Sequence, residues 1–254
     1  MPVIFIGHGS PMNALQNNRW TQNWRQIARD MPRPRAILAV SAHWYVGETA
    51  VTAMASPRTI HDFGGFPPEL YAARYPAPGE PALAAQVCDL LADYAVRLDL
   101  EWGLDHGSWS ILMHWYPNAD VPVIQLSIDV GLTARACYEL GVRLRPLRDA
   151  GVLLLGSGNV VHNLREIDWS DRAVARPWAL EFEQLVSDAL LHGDVAALTN
   201  VADFGAAARR SVPTPEHYLP LLYLLGAAHQ GEVWSIPARG IDMGSISMLC
   251  ARLG

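Results

Sequence analysis

Three short apolar runs in this sequence each end in a histidine set among small residues. Pro2 to Ile6 runs into Gly7-His8-Gly9, and Ala36 to Val40 runs into Ser41-Ala42-His43. Gly151 to Leu155 runs into Gly156-Ser157-Gly158 and on to His162. Each run is too short for a helix and rich in branched apolar residues, the pattern of a fully buried strand. His8 stands between two glycines, which let the backbone turn sharply and let a neighbouring group come close. Strands buried on both faces belong to parallel sheets covered by helices, and ligands in such sheets bind beyond the C-terminal strand edge. The expected fold is therefore α/β: a single domain over residues 1–254, its mostly parallel central sheet flanked by helices. The site belongs at the C-terminal edge of the strands, with a histidine delivered just past each of the three ends.

Composition removes several alternatives. Half of the 254 residues are hydrophobic, enough for one large core. The net charge is −6 with no basic block, which argues against nucleic acid and anionic membrane surfaces as partners. All 19 cationic residues are arginine, so Schiff-base and P-loop lysine chemistry is excluded. Cys88, Cys137 and Cys250 are far apart and read as small buried hydrophobes, consistent with a reducing compartment. The N-terminus has no signal-peptide pattern and no segment reaches the length of a membrane span, so a soluble, cytoplasmic protein is expected. No motif specifies an oligomer.

Between the strands, helical spacing predicts helices over Asn18 to Asp30, Glu80 to Val96, Thr133 to Asp149, Pro177 to Leu191, Ala202 to Arg210 and Tyr218 to Ala228. Further strands are expected at Val51 to Met54, Pro122 to Ile128, Val233 to Ile236 and Ser245 to Ala251. Asp105 to Trp109 reads as a polar loop entering an apolar segment. Ser56 to Pro78, rich in proline, glycine and aromatics, is one long irregular stretch of the kind that forms lids.

Nine histidines are present. His8 and His43 are the strongest metal-ligand candidates, since imidazole suits Fe, Zn, Cu and Ni. His162 lies in a glycine-rich turn and can serve as ligand or base. His217 is presented rigidly behind Pro213 and Pro215. His106 reads as a donor facing the substrate or supporting a ligand, and His61 as a loop contact. His114, His192 and His229 read as structural. Dinucleotide turns, G-x-S-x-G elbows and H-E-x-x-H are all absent. What is left is histidine-rich metal chemistry.

Six segments carry a resemblance: Gly7-His-Gly-Ser-Pro-Met12, Ser41-Ala-His-Trp44, Asp62-Phe-Gly-Gly-Phe-Pro67, Asp105-His-Gly-Ser-Trp109, Gly156-Ser-Gly-Asn-Val-Val-His-Asn163 and Pro215-Glu-His-Tyr-Leu-Pro-Leu221. In order and content they resemble the DODA-type extradiol ring-opening dioxygenases, within the wider protocatechuate 4,5-dioxygenase superfamily. The resemblance implies one divalent metal ion per chain held by His8 and His43, with His162 and His217 at the positions that complete the site in zinc-bound members. In the wider superfamily a carboxylate is the third ligand, so Glu216 beside His217 competes for that place. The resemblance further implies Fe(2+) for activity, with Zn(2+) as an ion the same site can hold. It implies a small aromatic diol and O2 as substrates and His162 as the acid–base group; from their own settings in the sequence, His106 reads as a second catalytic candidate and His61, Tyr71 and Ser10 as substrate contacts. Gly64 stands where many relatives carry an aromatic. Two other readings use the same residues: a zinc hydrolase, in which metal-bound water attacks an ester or amide, and a non-enzymatic binding protein of the same fold.

Overall fold

Alternate residues of the central strands feed two separate cores, one on each face of a sheet. In a computed structural model, which describes residues 1–170 and 172–254, the strands are β1 (Val3–Gly7), β2 (Ala36–Val46), β3 (Ala50–Thr52), β4 (Arg97–Asp99), β5 (Val123–Asp129), β6 (Val152–Gly158), β7 (Trp234–Ala238), β8 (Ile241–Asp242), β9 (Ile246–Ser247) and β10 (Cys250–Leu253). Eight of them form one sheet in the order β4-β3-β5-β2-β6-β1-β10-β7. The central pairs β5–β2, β2–β6 and β6–β1 are parallel, and β10 and β7 continue the sheet antiparallel. Val3, Phe5, Leu38, Val40 and Leu154 face one core, built with the helices Pro81–Leu90, Ala134–Leu144, Pro177–His192 and Leu219–Gly226. Ile4, Ile6, Ile37, Ala39 and Leu155 face the other, under the helices Arg19–Arg29 and His106–Trp115. With both faces covered, an unbroken apolar run is what such a strand requires. The α/β expectation holds. Among the described residues no helix is long and apolar enough to cross a membrane.

Several boundaries differ from expectation. His43 lies inside β2 rather than past its end. Val40 pairs with Leu126 and Tyr45 with Ile128, so Ser41 to Trp44 bulge out between two paired stretches and carry His43 with them. The stretch expected as a loop at Asp105 is the start of a helix, His106–Trp115, whose N-cap is Asp105. That helix is buried nearly all round from His106 to Leu112, so no polar face gives it a period. The expected helix from Glu80 to Val96 ends at Leu90, and Ala95 adopts a left-handed φ of 49° before β4. The one from Thr133 stops at Leu144, because Pro146 cannot continue it. The strand expected from Ser245 is divided: β9 pairs back on β8 as a hairpin, and only Cys250–Leu253 joins the sheet.

The long stretch from Ser56 contains a short helix, Pro68–Ala72, and is tied down along its length. Trp109 Nε1 donates to the Ile60 carbonyl at 2.8 Å and Tyr75 Oη to the Tyr116 carbonyl at 3.0 Å. Its free part is the tip at Gly64 and Gly65, where neither glycine has an atom within 4 Å of a built Cβ.

Candidate metal centre

At the C-terminal edge of β1, β2 and β6 the chain forms a cavity of about 690 Å³. His8, His43, His106, His162 and His217 all line it, as does Ser10. His8 follows directly on β1, with its carbonyl fixed by Asn13 Nδ2 at 3.0 Å. His43 rides the β2 bulge, and Gly107 passes so close that a Cβ there would lie 3.0 Å from the His43 ring and 2.6 Å from Ser41 Oγ. His217 is laid against the end of β6: Asn159 N donates to its carbonyl at 2.9 Å, and a Cβ on Gly158 would sit 2.2 Å from that oxygen. Glycine at 158 is the only residue that lets the two segments meet.

The hydrogen bonds fix which nitrogen of each ring carries a proton. Ser157 Oγ gives its hydrogen to the Gly107 carbonyl at 2.5 Å, so toward His8 Nδ1, 2.9 Å away, it can only accept. His8 therefore carries its proton on Nδ1 and a lone pair on Nε2. His43 Nδ1 lies 3.1 Å from the Asp62 carboxylate and His217 Nδ1 lies 3.2 Å from Glu216 Oε1, so both follow the same rule. The three Nε2 atoms then point inward as lone pairs. His8 and His43 Nε2 are 3.1 Å apart, and buried His217 Nε2 has no hydrogen-bond partner among the described residues. Ligand atoms of these three residues lie within 4.8 Å of one another. Three facing lone pairs with no hydrogen between them repel unless a cation sits among them, and outer partners on Nδ1 are how metal-binding histidines are oriented. The donor set fits a divalent metal ion.

Asp62 does more than the sequence suggests. Its carboxylate accepts from the His106 backbone N at 2.9 Å and from His106 Nδ1 at 2.8 Å, besides holding His43. Burial would push its carboxyl up, but the hydrogen bonds and proximity of His106, then His43, bring it down to about 2. His43 is driven to about 3, by burial first and then by His106. His8 and His217 lie well below the usual imidazole value, again by burial and then by neighbouring rings. Burial lowers His162 to about 4, against an opposing pull from Glu216. Asp105, beside His106 in sequence, points away into the protein. It accepts from Ser41 Oγ and Gln125 Nε2, each at 2.7 Å, and burial raises it to about 6.

The other sequence candidates are placed differently. Ser10 Oγ caps the turn that follows, accepting from Met12 N at 3.2 Å. His61 and Tyr71 are not part of the cavity wall: His61 Nε2 lies 3.0 Å from the Ala73 carbonyl, and the Tyr71 ring packs on Phe63 with centroids 5.3 Å apart. The loop instead offers Phe63 and Phe66 to the cavity. Leu164, Ile167 and Trp169 also line it, with Met243 and Ile246 from the β8–β9 hairpin. Buried Glu183 anchors that hairpin through Ser247 Oγ at 2.7 Å and Gly240 N at 3.1 Å.

Inward lone pairs at the C-terminal edge of a parallel sheet make this an α/β protein with a candidate metal site. Residues 2–240 match the family described as the catalytic LigB subunit of aromatic ring-opening dioxygenase, and the chain belongs to that family. It is 51% identical over 258 residues to a 4,5-DOPA dioxygenase extradiol of Escherichia coli (strain K12), covering 100% of this chain and 95% of that relative. A second 4,5-DOPA dioxygenase extradiol, from Beta vulgaris, is 37% identical over 252 residues, covering 96% of this chain and 93% of the relative. A crystal structure of an uncharacterized protein from Escherichia coli K12 matches with a TM-score of 0.88 and 46% identity, covering 100% of both chains. The activity class is therefore extradiol ring-cleaving dioxygenation, with an aromatic compound and O2 as substrates.

Proposed function

We propose that residues 1–254 form one catalytic domain that opens the ring of a small catechol with O2. In this reading one divalent ion, Fe(II) in the active form, is held by His8, His43 and His217. The observation that supports it is the convergence of three Nε2 lone pairs whose Nδ1 atoms are each held from behind by Ser157, Asp62 and Glu216. Glu216 acts here through the His217 ring, and the third ligand is the imidazole rather than the carboxylate. When bound, iron(II) supplies a redox-active centre for the otherwise spin-forbidden reaction of a diol with dioxygen, which zinc cannot supply.

The chain's own groups handle the protons. His162 is neutral at pH 7, because burial holds it down to about 4. Its ring makes no side-chain hydrogen bond among the described residues, so its nitrogens are free to take the proton of a diol hydroxyl and return it later. In a zinc-filled site the same ring would take a fourth position, a short movement away for a ring whose centroid is 3.5 Å from that of His217. His106 gives its Nδ1 hydrogen to Asp62, leaving Nε2 as the polar atom it offers to a bound substrate. Ser10 and the aromatic rim close the cavity around the ring.

Anaerobic loading with Fe(II), Zn(II) or Mn(II), followed by catechols in air at an oxygen electrode, tests this reading. Oxygen uptake and a yellow ring-opened product with Fe(II) alone are expected. Ester cleavage with Zn(II) and no oxygen uptake would overturn it in favour of a hydrolase.

A further inference from the structure

One long side chain stands in a backbone conformation that this chain otherwise gives to glycine and alanine. Among the described residues with positive φ, ten are glycine and two are alanine, Ala95 and Ala119; the one left is Met243, at φ 47°. Met243 and Gly244, at φ 76°, are the central pair of the turn joining β8 to β9, which Ser245 N closes by donating to the Asp242 carbonyl at 3.3 Å. A turn with positive φ at both central residues normally carries asparagine, aspartate or glycine at the first. Methionine is unfavourable there, because its Cβ crowds the following carbonyl oxygen. The turn is held in this shape from outside. Asp168 N donates to the Met243 carbonyl and Arg176 N to the Gly244 carbonyl, each at 2.9 Å, and Ser245 Oγ donates to the Asn163 carbonyl at 2.8 Å. None of these bonds uses the Met243 side chain, so glycine at 243 would keep them all. The side chain instead lines the histidine cavity, packed on the same apolar core as Phe63, Phe66 and Ile167.

Resting on the catechol reading above, we infer that Met243 is a substrate-contact residue that limits the bulk of the ring substituent the site accepts. A diol held at the histidines turns the rest of its ring toward the apolar part of the wall, to which Met243 belongs. A residue kept in an unfavourable conformation by its surroundings marks a place where the side chain serves something other than folding. An unbranched thioether suits this use, since it packs on an aromatic ring through sulfur and fills irregular space beside it. The backbone bonds to Asp168 and Arg176 stop the turn from retreating, so a bulky group on the ring meets a fixed wall.

The test compares the wild type with Met243→Gly, Met243→Ala and Met243→Leu, using catechol, 4-methylcatechol and 4-tert-butylcatechol. Thermal unfolding of the metal-free proteins reads the backbone: Met243→Gly should melt at least about 2 °C above Met243→Ala, because of the two only glycine adopts this φ without strain. Dissociation constants without oxygen and kcat/KM in air, both on Fe(II)-loaded enzyme, read the cavity. The ratio of 4-tert-butylcatechol to catechol should rise by about tenfold or more in Met243→Gly and Met243→Ala. In Met243→Leu, which restores the bulk, it should stay near the wild-type ratio. Fe(II) affinity should be the same in all four proteins. A ratio unmoved by Met243→Gly and Met243→Ala overturns the inference, as does a Met243→Ala variant that melts with or above Met243→Gly. Loss of Fe(II) binding in Met243→Gly would make Met243 part of the metal site and overturn it too. If the wild type binds none of the three catechols, the catechol reading falls and this inference with it, a result distinct from an unmoved ratio.

Discussion

The imidazoles of His162 and His217 lie face to face, their centroids 3.5 Å apart and their planes within 8°. Only one of the two is held by its ring. His217 is gripped at Nδ1 by Glu216, whereas His162 is anchored through its backbone, with its N donating to the Ser211 carbonyl at 2.8 Å. A fixed ring stacked on a free one is the geometry in which the second can turn toward a substrate without disturbing the first.

His162→Ala should therefore separate two roles that activity alone confounds. Fe(II) affinity and anaerobic catechol binding should stay near wild type, while turnover falls by ~10²–10⁴-fold, as for a lost acid–base group. Zn(II) affinity should drop, since that ion uses the fourth nitrogen. Equal losses of affinity for both metals, measured by competition with a chelator, would remove the dual role.

His8→Ala and His43→Ala should each abolish most metal binding yet leave the circular dichroism spectrum intact, because both rings lie at the sheet edge outside the two cores. Elemental analysis after dialysis checks this. Full occupancy in either variant would show that the ligand set is wrong.

Ser157→Ala and Asp62→Ala leave the ligands in place and remove what orients them. Each should weaken metal binding by roughly 10–100-fold. Asp62→Ala should do more damage to turnover than Ser157→Ala, because Asp62 also positions His106. The comparison needs kcat at saturating metal; equal kcat in the two variants would separate Asp62 from the chemistry.

Acid should destabilise the metal-free protein. The unfolded chain takes up histidine protons near pH 6.5, but folded His43 does so only at about 3 and folded His162 at about 4. Between those values the unfolded state binds more protons, so this contribution is complete above pH 6.5 and is lost as the pH falls toward 3. Asp105 works in the opposite sense: its carboxyl is raised from 3.8 to about 6, so its contribution is present below 3.8 and lost as the pH rises through 6. Two rings with these depressed values, together with His8 and His217 lowered in the same direction, outweigh that single carboxyl. A fall of at least about 4 °C in Tm from pH 7 to pH 5 is expected, on the order of 1–2 kcal/mol. A flat Tm would mean that the rings are not buried as neutral groups.

What the sequence displays plainly is whatever depends on neighbours along the chain. The runs at Val3, Ile37 and Val152 are unbroken because helices cover both faces of the sheet, and that pattern also reveals the parallel topology. His8 and His217 announce themselves through the glycines and prolines around them. What stays hidden depends on partners far away. Nothing near Asp62 indicates that it will hold a ring 44 residues on, and Ser157 meets His8 only because β1 and β6 pair. The helix from His106 is masked because its whole first half is buried. The bulge in β2 and the β8–β9 hairpin arise from pairing with other strands, which no local pattern of Ser41 to Trp44 or of Ser245 to Ala251 contains.

The place of β1 in the sheet has a consequence for timing. His8 leaves the ribosome long before its partners, since β1 lies between β6 and β10 and its histidine meets Ser157 and His217. A nascent chain synthesised only as far as residue 200 holds His8, His43 and His162 without the segment that carries His217. Closing such distant pairings is slow, so the site is among the last parts of the molecule to form. On the proposed ligand set of His8, His43 and His217, an ion is captured only after synthesis has passed His217, and the metal bound is decided by what the protein meets at that stage.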